Sequence, residues 1–319
     1  MIRIIADSTC NLSQEIIDKY DIVIAPLTIT INGETYIDYK EISPQELYDQ
    51  LPSLKELPTT AAPSPAVFID IIKADVENNI KDFLIIAMSS LTSGTYQSAV
   101  VAKDMFFETN HDDEVRIHVV DSQSMSHGSG YLVLKSCMMR DAGAVFEELV
   151  EFNETYKTRV KHFLSVGDLD NLVKSGRLSH TSAIVGKVLR VEPIMTMKSG
   201  KGAIVGKVRG HKNVLRYYVD EYKKRVDTEM TDFIIIGYTS DLSYAKALHN
   251  LFVEETGFDG DIYIIQMGAT VGTHVGLGGV SMFFIEKPKI HNNTYIDKFG
   301  EMKTAVTAKI KEQLNNYKK

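Results

Sequence analysis

Short β-rich apolar runs alternate with helical patterns along almost the whole chain, and this alternation constrains the fold more than any other feature. The periodicity predicts strands over Ile2–Ala6, Ile22–Ile31, Phe83–Met88, Arg116–Asp121 and His162–Val166. It predicts further strands over Pro193–Met197, Ala203–Val208, Phe233–Tyr238, Asp261–Gln266 and Val280–Ile285. Helices are predicted to begin near Ser13, Ser43, Ser64, Thr95, Gly128, Ala144, Leu169, Ser182, Lys212, Leu242 and Tyr295. Several start at a Ser or Thr that can cap free amides, as Ser43 does before Pro44. Such alternation implies α/β layers on a mainly parallel sheet. One stretch breaks the pattern. In MKSGKGAIVGKVRG two β runs flank Ser199–Gly200–Lys201–Gly202, which predicts a hairpin and a mixed sheet in the second half.

A chain of 319 residues exceeds what one core usually serves, roughly 250–300 residues. Two α/β domains are therefore expected, over 1–158 and 159–319, with the boundary in Tyr156–Val160 between a polar helix pattern and the strand HFLSV. The net charge of −7 opposes binding to nucleic acid or to an anionic membrane. Cys10 and Cys137 have neither metal-type spacing nor the density of a disulfide scaffold. The start, MIRIIADSTC, has Asp7 where a signal peptide needs an apolar run, and reads as a first strand. FLIIAM, FIIIGY and VSMFFIE fall short of the roughly 18–20 residues that span a bilayer. A soluble, cytoplasmic protein is expected.

Three stretches stand out chemically. SSLTSGTYQSA places six hydroxyls among the eleven residues 89–99, between a strand and a helix start, with no acid or base. That exceeds what a helix cap requires. The free amides near Gly94, Thr95 and Tyr96 suit a carboxylate or phosphate. The bend also lies at the carboxyl end of a strand, where open α/β sheets bind ligands. GATVGTHVGLGG sets five glycines around Thr270, Thr273 and His274, which lets backbone approach a ligand or merely makes turns. DLDNLVKSGRLS ends in Arg177, which taken alone is a cation at a helix C-terminus.

Other chemistries fit poorly. The fragment SGKG lacks a phosphate loop, because Met195 and Gly202 stand where that loop needs Gly and Ser or Thr. No G-x-S-x-G elbow supports a serine hydrolase. His111, His118 and His127 lack the i,i+4 spacing of a helical metal site. No catalytic residue, metal or cofactor is assigned.

Taken together and in order, these stretches resemble the DegV family of bacterial lipid-binding proteins. ADSTCNLS is similar to the family's D-S-T/S opening, through Asp7, Ser8 and Thr9. TTAAPSP is similar to T-S-Q-P-S-P through Thr60, Pro63, Ser64 and Pro65, and SSLTSGT to S-S-x-L-S-G-T. VDSQSMSHGSG resembles D-S-x-x-x-S-x-G-x-G through Asp121, Ser122, Ser126, Gly128 and Gly130. DLDNLVKSGR and GTHVGLGG complete the series.

The resemblance implies two α/β domains with one long-chain fatty acid held between them, delivered in one branch to a fatty acid kinase subunit. It implies that Thr60 and Ser93 bond the carboxylate, Gly94 and Thr95 offer amides, and Arg177 and His274 complete the head-group site. Candidate acyl-chain lining is Phe163, Ile184, Leu189, Ile194, Met195, Met282 and Phe284. The partners implied are the fatty acid, a kinase subunit and a transient membrane-surface contact, with no nucleic acid. Three departures stand out: Ala61 and Ala62 replace Ser-Gln, Thr92 replaces Leu, and Leu277 replaces Pro. An enzyme using Ser93 with His274, as a hydrolase or a relative of small-molecule kinases, is the alternative. A third reading is a regulator whose lipid is only structural.

Overall fold

The computed structural model describes residues 1–110, 112–178 and 191–288. The helices predicted from Ser182 and Tyr295, and the candidates Ile184 and Leu189, lie outside the described residues. In chain order the strands are β1 (Ile2–Asp7), β2 (Val23–Ala25), β3 (Thr28–Ile31), β4 (Glu34–Ile37), β5 (Thr59–Ala61), β6 (Asp82–Ala87) and β7 (Arg116–Asp121). They continue with β8 (Val160–Ser165), β9 (Val191–Lys198), β10 (Lys201–Arg209), β11 (Phe233–Tyr238), β12 (Asp261–Gln266) and β13 (Val280–Ile285). The helices are α1 (Gln14–Lys19), α2 (Pro44–Gln50), α3 (Pro65–Glu77), α4 (Thr95–Thr109) and α5 (His127–Asp141). After them come α6 (Phe146–Tyr156), α7 (Asp170–Lys174), α8 (His211–Arg225), α9 (Leu242–Thr256) and α10 (Ala269–Val275).

The fold is α/β, with the first sheet parallel throughout in the order β2-β1-β6-β7. A larger mixed sheet runs β10-β9-β8-β13-β11-β12, antiparallel except for the β11–β12 pair. The predicted hairpin joins β9 to β10, turning at Ser199 and Gly200 with φ of 50° and 77°.

The sequence reading merges two strands that the structure separates. Pro26 carries no N–H and cannot extend a ladder. Val23–Ala25 therefore joins the parallel sheet, while Thr28–Ile31 pairs with β4 and β5 in a small antiparallel sheet. The latter two strands, ETYI and TTA, are too short and polar for periodicity to reveal. The predicted Ser43 cap is present as a full capping box with Glu46.

Helix α5 sits between the parallel and the mixed sheets. It touches β1 and β6 on one side and β8, β11 and β13 on the other. Most of its residues are buried all round, as a helix enclosed by two sheets requires. One core therefore runs from Ile4 and Leu84 through Tyr131 and Leu134 to Phe233 and Phe283. Tyr131 stacks on Phe233 with centroids 4.2 Å apart, and its hydroxyl donates to the Phe233 carbonyl at 3.0 Å. Gly130 is required here, because a Cβ would lie 2.2 Å from the Cys10 carbonyl oxygen. A second core fills the outer face of the mixed sheet under α8 and α9, around Tyr218, Phe252 and Phe284.

The small sheet and α2 close over α10. Ile29, Ile31 and Leu47 pack with Ala269, and Tyr48 donates to the Met267 carbonyl at 2.8 Å. This packing carries β5, and Thr60 with it, across to the second half of the chain.

Candidate functional site

A cavity of about 220 Å³ lies where the first sheet, the mixed sheet and α10 meet. At one end its wall holds Thr60, Thr92, Ser93, Gly94, Arg177 and His274. Five of the six residues predicted for a head group are thus brought together from both halves of the chain. Thr95 is buried behind Ser93 and does not reach the wall.

The hydroxyl-rich bend is held in shape by its own side chains. Ser89 is fully buried and donates to the Gly200 carbonyl at 2.7 Å, tying the bend to the β9–β10 hairpin tip. Its own carbonyl accepts from the Thr92 amide at 3.0 Å, the Ser93 amide at 3.2 Å and the Thr92 hydroxyl at 2.9 Å. Ser90 is anchored to Asp121 through its amide at 3.1 Å and its hydroxyl at 2.5 Å. Ser93 Oγ lies 2.9 Å from Thr95 Oγ1 and accepts from the Thr95 amide at 3.3 Å, so it serves the α4 N-terminus while facing the cavity.

Below the bend, Asp7 is buried and accepts from the Met88 amide at 2.7 Å and the Thr9 amide at 2.9 Å. Burial pushes its carboxyl up from the ordinary range, and the Thr9 and Met88 hydrogen bonds oppose that shift. Asp38 is also raised by burial and accepts from Thr270 Oγ1 at 2.6 Å, which fixes α10.

His274 and Thr60 face each other across the mouth, with Nε2 2.9 Å from Oγ1. The Nδ1 atom of His274 is buried with no partner among the described residues. Burial, and then the nearby Arg177 charge, hold the imidazole down at about 4, so it is neutral at physiological pH. Arg177 is half-buried, donates to the Ser175 carbonyl at 2.7 Å and makes no ion pair among the described residues. Burial lowers its pKa, but a guanidinium stays charged. The mouth therefore offers a guanidinium with no ion pair among the described residues, neutral hydroxyls and an imidazole, a set matched to a single carboxylate.

Ser93 and His274 are not bonded to each other: Ser93 pairs with Thr95, and His274 with Thr60. Among the described residues no group of three or more His, Cys, Asp and Glu could hold a metal ion. No helix among them is long and apolar enough to cross a membrane.

Away from the mouth the wall turns apolar, with Leu27, Met88, Leu164, Leu172, Met267 and Phe283. The candidate lining residues lie elsewhere. Phe163, Ile194, Met282 and Phe284 pack in the outer core under α8 and α9. Met195 sits one layer behind the wall, among Leu164, Leu172 and Val275. The reason is strand parity, since successive side chains point to opposite faces. On β8 and β13 the cavity takes His162, Leu164, Ser281 and Phe283. Their neighbours Phe163, Met282 and Phe284 face away. Ser281, the one polar residue of β13, shares its parity with Phe283, whereas β8 carries polar residues on both faces, Lys161 and Ser165 on one and His162 on the other.

A family model described as "Uncharacterised protein, DegV family" matches residues 1–287. A DegV domain-containing protein of Clostridium acetobutylicum is 36% identical over 289 residues, covering 90% of this chain and 99% of that protein. A solved structure described as fatty acid binding of a DegV family protein from Thermus thermophilus superposes with a TM-score of 0.80 at 26% identity, covering 90% of this chain and 99% of the other. The Streptococcus pneumoniae fatty acid kinase B3 protein, loaded with linoleic acid, shares the fold with a TM-score of 0.77 at 24% identity, covering 90% of this chain and 100% of the other.

Proposed function

The chain belongs to the DegV family, and from that membership we propose that its cavity binds one long-chain fatty acid and presents the carboxylate to a separate fatty acid kinase. The observation that carries this reading is the mouth: Arg177, with no ion pair among the described residues, beside Thr60, Ser93 and a neutral His274, opening into an apolar slot. Burying each methylene contributes roughly 0.8 kcal/mol, so the tail supplies most of the affinity. The head then needs satisfied hydrogen bonds more than a tight clamp. A carboxylate that displaces the Thr60–His274 contact accepts from both groups, while Arg177 balances its charge. Hydroxyls and amides leave the carboxyl oxygens approachable, which a kinase requires. Leu91, in the bend that carries Ser93, and Leu277, just after the helix α10 that carries His274, are 55% and 39% exposed and supply an apolar rim for such a partner.

Mass spectrometry of a solvent extract of the purified protein is expected to show a long-chain fatty acid. Its absence, with no uptake of added palmitate or oleate, would overturn the reading. Ser93→Ala and Thr60→Ala are each expected to weaken binding by about 1–3 kcal/mol, because a buried carboxylate loses a donor. Unchanged affinity in both, by calorimetry on delipidated protein, removes the head-group assignment. Phosphorylation of the bound acid by a kinase subunit, with none by this protein alone, is the expected outcome for the delivery step. Turnover of an ester by this protein alone would favour an enzyme instead.

A further inference from the structure

Three buried polar atoms without hydrogen-bond partners among the described residues cluster around one ring, that of Phe283: Ser124 Oγ, His127 Nε2 and His162 Nδ1. The ring centroids of His162 and His127 lie 5.0 Å and 5.6 Å from that of Phe283. A Cβ on Gly128 would lie 1.9 Å from Ser124 Oγ and 3.4 Å from Phe283 Cε1, which places the serine on the same ring. Phe283, His162, Ser126 and Ser281 all line the cavity, and the Ser281 hydroxyl has only a long 3.4 Å contact to the Gly237 carbonyl. Buried polar groups are ordinarily paired. Ser124 and His127 stand behind the cavity wall, so of the three residues His162 alone lines it; with Ser281 it sets two polar side chains beside Leu164 and Phe283, where a partner from outside the chain can reach them.

We propose that this cavity is built for an acyl chain carrying a mid-chain hydroxyl, received by His162 and Ser281. The proposal rests on the fatty-acid reading above and deepens it. The depth fits. His162 pairs with Phe283, three residues along β13 from Val280 at the mouth-side loop, which places it roughly 10 Å down the strands. A plain hydrocarbon at that depth leaves the imidazole without a partner and the serine with only its long contact to Gly237, whereas a hydroxyl both donates and accepts and so suits either tautomer of a neutral histidine. Burial holds the His162 imidazole at about 3, so it is neutral when the ligand arrives.

The test is calorimetry on the delipidated full chain with octadecanoic acid, 10-hydroxyoctadecanoic acid and 2-hydroxyoctadecanoic acid. The 10-hydroxy acid is expected to bind about fivefold tighter than octadecanoic acid, and the 2-hydroxy acid no tighter. His162→Phe, with a ring of similar shape, is expected to bring the preference to about one, and Ser281→Ala to reduce it. Should His162→Phe fail to fold by thermal melt, Ser281→Ala decides. Equal or weaker binding of the 10-hydroxy acid, with octadecanoic acid still bound, overturns this proposal and leaves the fatty-acid reading intact. Binding of none of the three acids overturns both.

Discussion

Lowering the pH from 7 to 5 is expected to remove about 6 kcal/mol of unfolding free energy through three histidines. Burial holds His127 and His162 down at about 3, and burial with Arg177 holds His274 at about 4. In the unfolded chain each titrates near 6.5. A depressed folded-state pKa means the unfolded state takes up protons first as pH falls. Stability is therefore lost from the unfolded pKa downward, at about 1.4 kcal/mol per pH unit for each histidine, until its folded form also titrates. At pH 5 all three are still neutral in the fold, and each has lost about 2 kcal/mol. Asp7 and Asp38 act in the opposite sense, because burial raises their carboxyls and the folded state binds those protons more tightly. Their effect begins only as pH approaches their own raised values. Urea unfolding at pH 7 and pH 5, in the parent and in His127→Phe, isolates one histidine from the rest. The variant should lose about 2 kcal/mol less than the parent between the two pH values. An identical loss would mean that His127 already titrates normally in the folded protein.

Phe283→Ala is the second large effect. Phe283 is 2% exposed, belongs to the core that joins the two larger sheets, and forms part of the cavity wall. Its removal should cost about 3–5 kcal/mol by equilibrium unfolding, from lost transfer energy and the void left behind. Phe284 is equally buried but faces the outer core. Phe284→Ala should cost a similar amount while leaving the binding profile over acyl chain lengths unchanged. Phe283→Ala should shift that profile toward longer or bulkier acids, because the void opens into the slot. The reverse pattern would place the tail on the outer face of the mixed sheet.

Much of the first sheet was legible because its strands are apolar on both faces. IRIIAD and DFLIIA read as strands without reference to any partner. Of the loops at the cavity mouth, composition alone marked the hydroxyls of 89–98; the glycines around His274 and the Gly-Arg pair at 176–177 drew a ligand role only from the family resemblance. The slot was not legible. In VSMFFI the apolar count is nearly the same on either face, so periodicity could not say whether Phe283 or Phe284 turns inward. Thr60 lies in a three-residue strand whose place depends on β3 and on the packing of α2 against α10.

The hydroxyl-rich bend shows the same division. Its sequence determined that it would end a strand, begin a helix and carry no base. Local chemistry suffices for that, since serine and threonine compete for backbone groups at such turns. Which hydroxyls remain for a ligand was decided by contacts distant in the chain. Ser89 is taken by Gly200 and Ser90 by Asp121, which leaves Thr92 and Ser93 at the cavity. Only the tertiary structure sets Arg177 and His274 opposite them, because the arrangement depends on the mixed sheet and the first sheet clasping α5 from both sides.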